Sequence, residues 1–190
     1  NGTVVWARRA GGTQSHRADK IGVDGAGNIF IAGRLYQPIT FGGTTLTSAG
    51  DFDIYLAKYD HAGNLLWAKT AVGGGGRSDF VWSEGGMAID RFGRVHLVFN
   101  GYGQWQVGGG TINGNSNLGV ARIDNDGTGL WVTAIGNQWS VKPSYDALAV
   151  DSQGNCYVTG AFQQNQQVGS TQWVNAGSND AFLVRVEDNG

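Results

Sequence analysis

Carboxylates recur along this chain at places where they could hold a hard cation. Asp24, Asp90 and Asp151 each open an Asp-x-x-Gly turn, and Asp60 and Asp124 open a second set. Calcium takes about six to eight oxygens, commonly from a loop in which Asp and Asn alternate. Asp124-Asn125-Asp126-Gly127 comes nearest, but the rest of an EF-type loop is missing and no Glu closes it. The local alternative is simpler. An Asp heading a turn accepts backbone N–H groups two residues on, while Gly takes the positive-φ corner. These five carboxylates therefore read as turn caps, and neither a metal nor another cofactor is expected.

A hydrolytic centre would need a nucleophile, a base and an orienting group in one place. His16 and His61 fall in predicted loops and His96 in a predicted strand; none occupies an equivalent place or a recognisable motif. Gly73-Gly74-Gly75-Gly76-Arg77 lacks the Lys-Ser/Thr ending and the following helix of a phosphate loop. The single Cys156, beside Tyr157 and Val158, reads as a small core residue. It forms no intrachain disulfide by itself. No catalytic residue is assigned, and a hydrolase-like site in a central channel ranks last among the readings.

The aromatic residues divide into two groups. Trp6, Trp67 and Trp131 stand at matched positions and suit a seam between repeated units. Trp82, Tyr102, Trp105 and Trp139 are unmatched and fall in long connections, interleaved with Gln104 and Gln138. Aromatic faces beside amides suit a sugar ring, and they suit protein contact equally well. Pinning long loops to the body of the fold is the third reading. These six residues form the candidate ligand site.

The elements that would position them come from an internal repeat. The turn at 23–28 recurs at 89–94 and 150–155. The turn Asp60 to Trp67 recurs as Asp124 to Trp131. A third copy of the latter is divided between Glu187-Asp188-Asn189-Gly190 and Asn1-Gly2-Thr3-Val4-Val5-Trp6. Each unit divides into four strand-like runs: 19–24, 28–34, 53–60 and 65–72; then 85–90, 94–100, 117–124 and 130–136; then 146–151, 155–161, 180–187 and, from the other terminus, 4–10. Alternation in Ile54-Tyr55-Leu56-Ala57-Lys58-Tyr59 supports strand, and no stretch carries a helical stripe. Between the second and third runs, Phe41-Gly42 with Leu46, Val107-Gly108 with Ile112, and Val168-Gly169 with Trp173 predict an ordered flap.

Four-stranded antiparallel units in tandem predict an all-β fold, a β-propeller with three blades per chain: about 18–72, 84–136 and 145–190, the last completed by 4–10. Propellers have about four to eight blades, so three do not close. Two copies joined head to tail through strand 4–10 would give a six-bladed ring. A longer parent propeller would also satisfy the geometry. The dimer is favoured because Asn1-Gly2 echoes Asn189-Gly190.

At this point the residues carry a family likeness. Ala149-Val150-Asp151-Ser152-Gln153-Gly154-Asn155-Cys156-Tyr157-Val158-Thr159-Gly160, and the run from Asp53 to Trp67, resemble the bacterial β-propeller repeat called SBBP. The resemblance implies secreted or cell-surface bacterial proteins in which the propeller binds or scaffolds. It implies no shared chemistry. The expected function is thus a non-enzymatic extracellular binding or assembly module, with a carbohydrate-binding lectin as the alternative.

Composition agrees. Among 190 residues there are 33 glycines and 11% aromatics, a mixture suited to short strands and tight turns. Net charge is −2, so the basic stripe of a nucleic-acid binder is missing. Apolar runs fall far short of a membrane helix. The chain does not begin with Met and no signal peptide is visible, so a processed product or an excised segment is expected.

Overall fold

The computed structural model describes residues 1–48, 53–72, 86–107, 110–137 and 141–188. All regular structure among them is antiparallel β. In the first unit, β1 (Ala10–Gly11) precedes β2 (Arg17–Val23), β3 (Ile29–Leu35), β4 (Ile39–Phe41), β5 (Thr44–Leu46), β6 (Asp53–Tyr59) and β7 (Leu65–Val72). The second contains β8 (Met87–Ile89), β9 (Val95–Val107), β10 (Gly110–Ile123) and β11 (Gly129–Asn137). The third contains β12 (Val141–Val150), β13 (Cys156–Phe162), β14 (Gln166–Val168), β15 (Thr171–Trp173) and β16 (Asp180–Val186).

The main sheets run β2-β3-β6-β7, β8-β9-β10-β11 and β12-β13-β16; in the first and third, the second and third strands are joined through the flap. Hairpins explain the order, because Asp-led turns reverse the chain in two to five residues and leave consecutive strands paired. The predicted flaps are hairpins as well. β4 pairs with β5, and β14 with β15. In the second unit strand and flap are continuous, since β9 and β10 stay paired from Val95↔Ile123 to Val107↔Gly110, with one register shift.

This continuity corrects one expectation. Tyr102, Gln104 and Trp105 lie in strand β9, not in a loop, with Gln104 opposite Asn113 and Trp105 opposite Ile112. A second correction concerns residues 4–10. Only Ala10 belongs to a strand, and it pairs with Phe41 of the first unit's flap. The segment 4–9 is not a strand, and β16 is left at the edge of a three-stranded sheet. The third sheet is thus not completed within one chain, and no closed barrel or ring forms among the described residues.

Sheet faces dictate the rest of the packing. β6 is buried along its whole length, because the second sheet covers one of its faces and the first unit's own flap, through Ile39 and Phe41, packs on the other. On one side Phe30, Ala32 and Leu56 meet Val95, Leu97 and Ile123 of the second sheet. Next, Val98, Leu118 and Val120 of the second sheet meet Cys156, Val158 and Phe182 of the third. The first strands of the three units are neighbours, β2 against β8 and β8 against β12.

Close approach at this inner line fixes small residues. A Cβ on Gly86 would sit 2.9 Å from the backbone nitrogen of Leu148 and against its Cβ. Gly86→Ala is expected to destabilise by about 1–3 kcal/mol. Gly25→Ala, with nothing within 4 Å, should stay within about 0.5 kcal/mol of the parent. Urea denaturation midpoints at unchanged slope would measure both.

Candidate functional site

The repeated carboxylates close their turns. Asp24 Oδ1 accepts N–H bonds from Ala26 and Asn28, both at 2.9 Å, while Asn28 Nδ2 donates to Oδ2 at 2.8 Å. Asp90 and Asp151 repeat the pattern with Phe92 and Arg94, and with Gln153 and Asn155. The glycine that follows each, Gly27, Gly93 and Gly154, has φ of 81°, 76° and 89°. Asp60 Oδ1 accepts the Asn64 N–H, whereas Asp124 Oδ1 accepts the N–H of its neighbour Asn125. Burial pushes the Asp24 and Asp90 carboxyls up, but these hydrogen bonds outweigh it and hold both below the ordinary value. The Asn155 bonds pull Asp151 down to about 2. With their lone pairs turned onto N–H groups of their own loops, these oxygens act as structural caps.

Three indoles tie one unit to the next. Trp67 Nε1 donates to the Asn125 carbonyl at 3.2 Å, and Trp131 Nε1 to the Asp188 carbonyl at 3.1 Å. Trp6 Nε1 donates to the His61 carbonyl at 3.2 Å. Each acceptor directly follows the acidic residue of the next unit's second turn. The cation two residues after the indole strengthens the tie: Arg8 Nε reaches the Gly63 carbonyl at 2.6 Å, and Lys69 Nζ the Asp126 carbonyl at 2.8 Å. Rings also lie on the turn glycines; a Cβ on Gly63 would stand 2.7 Å from Trp6 Cδ2.

A cation on the third strand completes the seam. Lys58 bonds to the Asn125 side chain, and Arg122 bonds to the carboxylate and carbonyl of Asp188. Both cations are buried. Arg185 holds the corresponding place on β16, where its side chain is 49% exposed and lies 3.9 Å from Glu187.

The two outer faces of the stack differ from the inner ones. Leu56 and Val120 are buried, but their counterpart Leu183 is 71% exposed. Met87, Ile89, Leu148 and Val150 pack into seams, whereas their counterparts Ile21 and Val23 are 70% and 58% exposed. An open cavity of about 270 Å³ lies on the first sheet's outer face, lined by Trp6, Ile21, Ile29, Ile31, Tyr55 and Tyr59 among others. His16 borders it too, and both of its ring nitrogens are shielded from solvent without a hydrogen-bond partner. Sequence reasoning did not pick out this pair of open faces. The signal was present in Leu183, Ile21 and Val23, which repeat residues expected to be interior.

Of the candidate ligand residues, Trp82, Gln138 and Trp139 lie outside the described residues. Tyr102, Gln104 and Trp105 lie in the C-terminal half of β9. Cys156 is buried, and burial pushes its thiol up to about 11. Among the described residues, no group of three His, Cys, Asp or Glu side chains could hold a metal ion. In comparison with known proteins, no family model matches the chain and no curated protein matches it.

One buried ionisable pair has a measurable consequence. His96 is fully buried, with Nε2 3.2 Å from Asp90 Oδ2 and no partner at Nδ1. Burial lowers its pKa; Asp90 opposes that, and Arg122 and Arg94 add to it. An unfolded histidine takes a proton near pH ~6.5, so on acidification the unfolded state binds that proton first. Stability therefore falls as pH drops below about 6.5, and the aspartate caps are lost only below about pH 4. His96→Phe, which copies Phe30 at the matching position, should abolish the upper phase. Urea midpoints at about pH 7.5 and 5 would compare the two proteins.

Proposed function

We propose that the chain is a non-enzymatic module of β-propeller type that works by binding or assembly. The observation carrying this reading is the chemistry of the ends of the stack. Apolar and cationic residues buried at both internal seams are exposed at the outer faces. Exposed contiguous apolar surface on a soluble protein marks interaction. Units that stack through equivalent faces, with their first strands adjacent, support the radial arrangement. The likeness of 149–160 and 53–67 to SBBP repeats supports a secreted or cell-surface bacterial setting. Fold alone gives no activity, so the reading rests on these surfaces.

Light scattering over a range of concentrations, paired with a glycan array, tests it. Self-association above the 20.1 kDa of one chain is expected, with a blank array. A mass of one chain at every concentration would remove assembly, and glycan binding by that monomer would install the lectin in its place.

A further inference from the structure

We infer that the partner of the open faces is a second copy of this chain, docked head to tail so that two copies close a six-unit ring. This rests on the assembly reading above and specifies its contacts. The argument is substitution within a repeat. β6 pairs with β7, and β10 with β11, in one register: Lys58 faces Trp67 and Ala57 faces Ala68, as Arg122 faces Trp131 and Ala121 faces Val132. On β16 the matching residues are Arg185 and Val184. Among the described residues, no strand lies beyond them in the third sheet. A further copy of the fourth-strand pattern is Val4-Val5-Trp6-Ala7-Arg8, whose Trp6 and Arg8 already grip the first unit's turn.

In the assembled ring that segment keeps its grip on the first unit and pairs with β16 of the other copy. Trp6 then faces Arg185, and Ala7 faces Val184. Trp67 does both jobs at once, lying in β7 while its indole holds the next unit. The two duties are therefore compatible. Arg185 reaches the His61 carbonyl across the junction, as Lys58 reaches Asn125 and Arg122 reaches Asp188.

Side chains complete the fit. Leu183 enters the cavity beside Ile29, Ile31 and Tyr59, as Leu56 packs against the second sheet. Ile21 and Val23 meet Ala149, as Met87 and Ile89 meet Gly22. Two copies suit closure: three units lie below the propeller range of about four to eight, and two such sets make six, which lies within it. A head-to-tail contact repeats until the rotation closes.

Disulfide trapping reads the register directly. Directly opposed residues on antiparallel strands have Cα atoms about 4.5–5.5 Å apart, inside the disulfide range. The native Cys156 is buried and contributes little background. Ala7→Cys and Val184→Cys proteins, mixed and oxidised, should give a cross-linked pair that neither gives alone. The double variant should stop at twice the mass of one chain. In parallel, Leu183→Asp and Ile21→Asp alter residues exposed in the single chain and should weaken the dimer at least about thirtyfold by analytical ultracentrifugation.

A dimer without the cross-link would overturn this register while leaving assembly standing. A cross-linked ladder would overturn ring closure. A monomer in light scattering would overturn this inference together with the reading beneath it.

Discussion

Everything in this fold depends on a sheet needing cover on both faces. Each unit carries apolar side chains on alternate positions of its middle strands, so neither face is left to solvent where a neighbour is available. The alternation from Ile54 to Tyr59 that marks a strand is also a division of labour. Leu56 serves the following unit, while Tyr55, Ala57 and Tyr59 pack on the first sheet's other side. Burying a large apolar side chain stabilises by roughly 1.5–3 kcal/mol, so the first seam, whose cluster holds eight buried Val, Leu, Ile and Phe residues, dominates the hydrogen bonds around it.

The polar contacts at the seams have a different role. Apolar faces slide; an indole N–H aimed at one carbonyl does not. Trp67 and Trp131, with Lys58 and Arg122 beside them, set the angle and register between neighbouring sheets. Buried cations need such partners, since an unpaired charge in an apolar seam would be strongly destabilising. The acidic turn does two things at once. Its carboxylate shapes the loop, and the loop then presents a carbonyl to the unit before it.

Much of this was legible in the chain. The Asp-x-x-Gly spacing gave the turns, and period-two alternation gave β3, β6, β7 and β13 almost to the residue. Matched Trp positions pointed to seams. The second unit was read less well: its flap and strands merge into the β9–β10 hairpin, because residues 100–107 pair across to β10 instead of bending away. The segment 4–10 was read as a strand from its pattern alone. A strand, however, needs a partner, and within one chain this segment bonds to the first unit's turn and does not pair with β16.

Sequence alone determined what is local: the repeat, the turns, the strand periodicity and the lack of a helical stripe. These follow from φ/ψ preferences and hydrogen bonds spanning two to four residues. Tertiary structure decided what joins residues 55 to 58 positions apart, such as Trp6 with His61, Trp67 with Asn125 and Trp131 with Asp188. It also decided which of three chemically equivalent faces remain open. Leu56, Val120 and Leu183 are similar side chains in similar strands, and only the presence of a neighbouring sheet separates the buried two from the exposed third.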